Sequence, residues 1–196
     1  MGLAEAITGT LAIAAVSTAG DFIWATWIAE ARGVYGFIHG ALLFLAIGLF
    51  LGRLAGRAAA GAIAGACVGA LAAGLYYVLA PTLGLPAMIV AWMAVWLGLA
   101  VVYGWLSAPR ISDGHRRDIG VNAAAVASRA VIAAIASGLA FYSISGIWRP
   151  FNPQGWDYAV HFAAWTIAYF PGFAALLLPA ASSYVSGNSF RRRSLK

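Results

Sequence analysis

The chain has three histidines and six acidic side chains in 196 residues, and four of these nine sit within or at the rim of long apolar runs: Asp21, His39, Asp157 and His161. Asp157 and His161 are one helical turn apart, and Trp165, Ala168 and Gly172 continue that face. Ser17 and Thr10 share the face of Asp21, with Trp24 close to it. Three kinds of chemistry fit an Asp/His set of this type. Two histidines with a carboxylate can ligate a metal or haem, although the paired-ligand spacing of zinc sites is absent. The same groups can relay protons or act as acid and base, as in pumps and membrane-embedded enzymes. Alternatively, His39 and Asp21 hydrogen-bond each other and their neighbours and fix helix order, with or without a lipid beside them. The last reading ranks first and haem ranks last. No catalytic signature supports an enzyme, no metal site or cofactor is expected, and a bound lipid is compatible with all of this.

The elements that must position these residues are membrane spans. Apolar residues make up 63% of the chain and charged ones 9%, with mean hydropathy +0.85. Soluble domains carry about 25% charged residues. Six apolar stretches reach the ~20 residues that an α-helix needs to cross a bilayer: 6–29, 34–52, 58–80, 87–107, 121–145 and 158–180. The chain therefore reads as an all-α, multi-pass bundle of the cell membrane forming a single domain over 1–196. Short polar or Pro/Gly-containing segments separate the spans, and Pro81 to Pro86 reads as a short turn. No loop has room for an inserted domain.

Lys and Arg set the orientation. Arg53, Arg57, Arg110, Arg116, Arg117, Arg191, Arg192, Arg193 and Lys196 fall on one side of this pattern, and only Arg32 and Arg149 on the other. Cytoplasmic loops carry the Lys/Arg excess, so both termini are expected in the cytoplasm. The net charge of +6 is accounted for in this way and calls for no nucleic acid. Arg129 lies inside the fifth span, where it can snorkel to headgroups. Cys67 is the only cysteine, which excludes an intrachain disulfide. The first residues lack the basic start of a cleavable signal peptide.

With this orientation, Asp21 lies about eight residues, or roughly 12 Å, below the outer surface. A charge at that depth should face the bundle interior. The aromatic residues Trp24, Tyr76, Tyr77, Trp92, Tyr142 and Trp165 map to the same outer half, whereas the inner half has mainly Tyr103 and Trp105. Interfacial belts favour Trp and Tyr on both sides, so the asymmetry points to an outward-facing recess with apolar walls and a few orienting polar groups. The candidate ligand-binding set is Asp21, Trp24, His39, Tyr76, Tyr77, Trp92, Tyr142, His161 and Trp165.

Small residues indicate how the spans pack. Gly61, Gly65 and Gly69 recur every fourth residue, Gly36, Gly40, Gly48, Gly52 and Gly56 mark the preceding span, and the fifth span is rich in Ala. Such stripes let helices approach closely in lipid, either within the chain or in a homo-oligomer. Phe170-Pro171-Gly172 falls midway through the last span, where proline tends to kink a helix.

Six spans in about 200 residues, short loops and cytoplasmic termini make the layout similar to the insulin-induced-gene (Insig) family of sterol-sensing membrane proteins. The run Gly138 to Tyr142, the Pro-containing loop to Asp157, and Tyr158-Ala159-Val160-His161-Phe162-Ala163-Ala164-Trp165 resemble the final hairpin of that family. The family's acidic residue after the fourth span has no counterpart in Trp105-Leu106-Ser107-Ala108. The resemblance implies a non-enzymatic bundle that holds a lipid or sterol-like molecule between helices.

Overall fold

The computed structural model describes residues 2–27, 32–84, 86–107, 128, 130–139 and 155–178. Every regular element among them is an α-helix: α1 (Leu3–Trp27), α2 (Arg32–Leu54), α3 (Ala58–Leu83), α4 (Pro86–Ser107), α5 (Ala130–Leu139) and α6 (Gly155–Leu177). All except α5 are long and apolar enough to cross a membrane. The expected fifth span, 121–145, is described only over α5 and residue 128. Its other residues lie outside the described residues, as does Arg129.

The helix ends follow from local chemistry. Between α2 and α3 the chain reverses in a Schellman turn. Gly56 adopts φ 70°, the Gly56 N–H donates to Arg53 O, and the Arg57 N–H donates to Gly52 O at 2.7 Å. The turn expected from Pro81 to Pro86 is shorter than the sequence suggested. The α3 helix runs through Pro81 to Leu83 and ends at Gly84, which has φ 61° and an N–H that donates to Ala80 O at 2.9 Å. Pro81 occupies the exposed last turn, where the loss of one backbone donor is cheap. Pro86 opens α4, because its fixed φ and missing N–H suit a first helical position. Pro171 also lies within a continuous helix, α6.

The closest helix pair is α2 with α3. A Cβ at Gly48 would run into Gly61 O and lie 2.8 Å from Gly65 Cα, and one at Gly52 would lie 3.0 Å from Gly61 Cα. Further along, a Cβ at Gly40 would be 3.2 Å from Gly69 O. The two backbones touch, so the glycine faces of α2 and α3 are spent on each other within one chain. Among α1–α4 and α6 the other extensive seams are α3–α4 and α1–α6, whereas α1–α2, α2–α4 and α4–α6 meet only slightly.

The half of the bundle that carries the α2–α3 turn is filled. Ile47, Leu51, Trp96, Leu99, Tyr169 and Phe173 are fully buried, and Phe173 makes edge contacts with Phe50 at 5.6 Å and Trp96 at 5.9 Å. Gly172 leaves a notch in α6 that the Trp96 indole occupies. Toward the opposite half the helices border a cavity.

Candidate functional site: an intramembrane cavity

A cavity of ≈ 270 Å³ lies between α1, α2, α3, α4 and α6. Short connections explain why its polar residues share one level. Asp21 precedes the end of α1 by six residues, His39 follows the start of α2 by seven, and His161 follows the start of α6 by six. At 1.5 Å per residue each lies roughly 9–11 Å from its helix end. Tyr76 and Tyr77 near the end of α3, and Trp92 near the start of α4, complete the ring.

Seven of the nine candidate residues line this cavity: Asp21, His39, Tyr76, Tyr77, Trp92, His161 and Trp165. The Trp24 side chain and Tyr142 lie outside the described residues. Asp157 is exposed in the first turn of α6 and does not line the cavity. An acid there favours the helix dipole, and the turn beyond His161 has left the level of Asp21.

Asp21 organises the polar base. Its Oδ2 is 2.8 Å from His161 Nε2 and accepts the Trp165 Nε1–H at 2.8 Å. The two nitrogens are 3.1 Å apart, but a nitrogen that donates to the carboxylate cannot also accept the indole proton. With Asp21 ionised, His161 therefore carries its proton on Nε2, and both groups donate to Oδ2. On the other side, Oδ1 faces His39 Nε2 at 3.5 Å, beyond the ~2.7–3.2 Å of a well-formed N–H···O bond. Side-chain exposure follows the same order: His161 4%, Asp21 11% and His39 21%.

The walls are apolar. Leu43 and Phe44 of α2, Ala72 of α3, and Met88, Ala91 and Val95 of α4 face the void. Aromatic rings stack behind the polar base: Trp165 lies on Tyr169 at 5.2 Å and 15°, and Trp92 is 5.5 Å from Tyr169. Tyr77 stacks on Phe37 at 5.4 Å, and its hydroxyl occupies the place that a Cβ on residue 36 would need. A side chain at residue 36 would have to push the Tyr77 ring aside.

The arrangement constrains its chemistry. Among the described residues, no group of three or more His, Cys, Asp or Glu could hold a metal ion. Both histidine Nε2 atoms face the carboxylate itself rather than a shared vacant point. Along α1 the buried polar groups thin out beyond Asp21. Beyond Asp21 comes the buried Ser17–Tyr169 hydroxyl pair at 3.0 Å, and then Thr10, which donates to Ala6 O of its own helix. Ser17 and Thr10 are separated by about 10 Å of helix, occupied by Ile13 and Ala14 of the core.

Sequence reasoning missed the apolar walls and Tyr169. The former carry no signal, because helices that are apolar all round present many equivalent Leu, Val and Met residues. Tyr169 could have been found, since it follows Trp165 by one turn on the face already traced. No protein-family model matches the chain, nor does any curated protein or solved structure.

Proposed function

We propose that this membrane protein binds a lipid or sterol-like amphiphile in the cavity, with apolar walls for its hydrophobic body and the Asp21–His39–His161 base for its polar end. The observation that carries this reading is the cavity itself, which has largely apolar walls and one buried carboxylate, Asp21, at its base. Ligand pockets commonly combine apolar walls with a few convergent polar groups. The Lys/Arg asymmetry assigns the cavity to the outer leaflet half and both termini to the cytoplasm. The Insig-like layout supports a non-catalytic sensor or binder. Protein purified in mild detergent should release a stoichiometric lipid into an organic extract analysed by mass spectrometry. An extract with no lipid beyond the detergent background would overturn the reading.

The contact between Asp21 and His161 favours a second reading, a membrane-embedded enzyme or a proton-coupled carrier. Asp21→Asn separates the two: a binder of a neutral lipid keeps its lipid, whereas an acid–base site loses activity with the fold intact.

A further inference from the structure

Resting on the reading of the cavity as a lipid site, we infer that Tyr77 is a gate in its wall, through which the ligand enters sideways from the bilayer between α2 and α3. Over most of its length this seam is shut by backbone. A Cβ at Gly48 would strike Gly61 O, one at Gly65 would strike Phe44 O, and one at Gly69 would strike Gly40 O. One turn further on, the closure changes kind. The three atoms nearest the Cβ position of Gly36 all belong to the Tyr77 side chain, its hydroxyl first. Gly36 and Tyr77 both line the cavity, yet Tyr77 is 36% exposed. This one ring therefore reaches from the void to the outer surface of the bundle.

Position and surroundings decide what lies outside the ring. Gly36 follows the start of α2 by four residues and Tyr77 precedes the end of α3 by six, roughly 6–9 Å inside the helix ends. Val34 and Ile38 of α2 and Val78 of α3 flank the pair in sequence and are exposed, an apolar surface that belongs in hydrocarbon rather than in water. The gate thus opens into the bilayer and suits a molecule already dissolved there. Its moving part is a side chain. Tyr77 stacks on Phe37 and makes an edge contact with Tyr76, both at 5.4 Å, and Phe37 is itself exposed. Turning a partly exposed ring is a local step between staggered rotamers, whereas parting α2 from α3 lower down breaks close packing along several turns. The missing side chain at Gly36 gives the ring its seat in the closed position.

A thiol placed inside the cavity tests the gate in the full chain, reconstituted in phosphatidylcholine vesicles. Ala91 of α4 lines the cavity and is buried, whereas Leu71 of α3 is 75% exposed; each is replaced by Cys in a Cys67→Ala background. The probes are phenylmercuric chloride, uncharged and soluble in lipid, and p-chloromercuribenzenesulfonate, charged and confined to water. Intact-protein mass spectrometry gives the rates. With Tyr77 in place, Ala91→Cys should react with the uncharged mercurial about tenfold more slowly than Leu71→Cys. Tyr77→Ala should speed Ala91→Cys about tenfold and leave Leu71→Cys unchanged. Tyr77→Leu, which keeps more of the packing, should accelerate less but in the same sense, and it decides the matter if the Ala variant does not fold. Tyr77→Phe keeps the ring and should stay within about twofold of the parent. The sulfonate should gain nothing from Tyr77→Ala. The gate is overturned by no acceleration in either truncation, by Ala91→Cys as reactive as Leu71→Cys with Tyr77 in place, or by equal acceleration of the charged reagent. An organic extract of the same preparations decides the lipid reading separately. Lipid present with unchanged thiol rates leaves the site without this gate; absence of lipid overturns the site, and this inference with it, whatever the rates.

Discussion

A carboxylate six residues from the end of a membrane helix is tolerable only because of what surrounds it. At Asp21 the offset comes from His161 and Trp165 of α6 and from His39 of α2. Asp21→Leu strands two donors and should cost about 1–3 kcal/mol, the penalty for leaving buried partners unsatisfied. Asp21→Asn retains an acceptor and should fold with a melting temperature in detergent well above that of the Leu variant. If both variants melted together, the hydrogen bonds to Asp21 would contribute nothing to the fold. Deeper in the bundle, Tyr169→Phe leaves the Ser17 hydroxyl buried without the partner it has at 3.0 Å, a loss of about 1 kcal/mol. Adding Ser17→Ala should recover part of that loss, a coupling that a double-mutant cycle of thermal stabilities would measure.

The helix pair α2–α3 is held by the absence of side chains. Replacing Gly65 by Ala brings a Cβ against Phe44 O and to 2.8 Å from Gly48 Cα, so backbones must part. We expect a loss of about 1–3 kcal/mol, as for overpacked cores. Gly104→Ala meets nothing within 4 Å and should be neutral or slightly stabilising, because Ala favours helix by roughly 0.5–1 kcal/mol over Gly. Comparing the two melting temperatures separates packing from propensity; equal effects would mean that the α2–α3 contact is dispensable. This pairing was half legible in the sequence. The four-residue period of Gly61, Gly65 and Gly69 marked a close-packing face, but nothing in one chain's sequence distinguishes a neighbour in the same bundle from a second copy. Helix ends were harder to place. Pro81 reads as a stop, yet a helix absorbs a proline in an exposed final turn, where the loss of one backbone donor costs little.

Across the whole molecule, the gathering of Asp21, His39 and His161 was legible because only the alternation of spans was needed to place them at one level. The existence of a void between them was not, since it depends on which seams close tightly and which do not. Topology is tested apart from packing. In a Cys67→Ala background, cysteines introduced singly at Ser112 and Gln154 should react with an impermeant thiol reagent in intact cells only at Gln154. Labelling at Ser112 instead would invert the assignment of the cavity to the outer leaflet.

The separation between Asp21 and its partners also sets a timetable for biosynthesis. His161 and Trp165 lie 140 and 144 residues downstream of Asp21. At about 5–20 residues per second of synthesis, the ribosome needs roughly 7–28 s after making α1 to make the helix that completes its polar face. Both helices of the tight α2–α3 hairpin are made within that interval. Until α6 is made, Asp21 lacks both donors that hold its Oδ2, so α6 is the helix that completes the polar base.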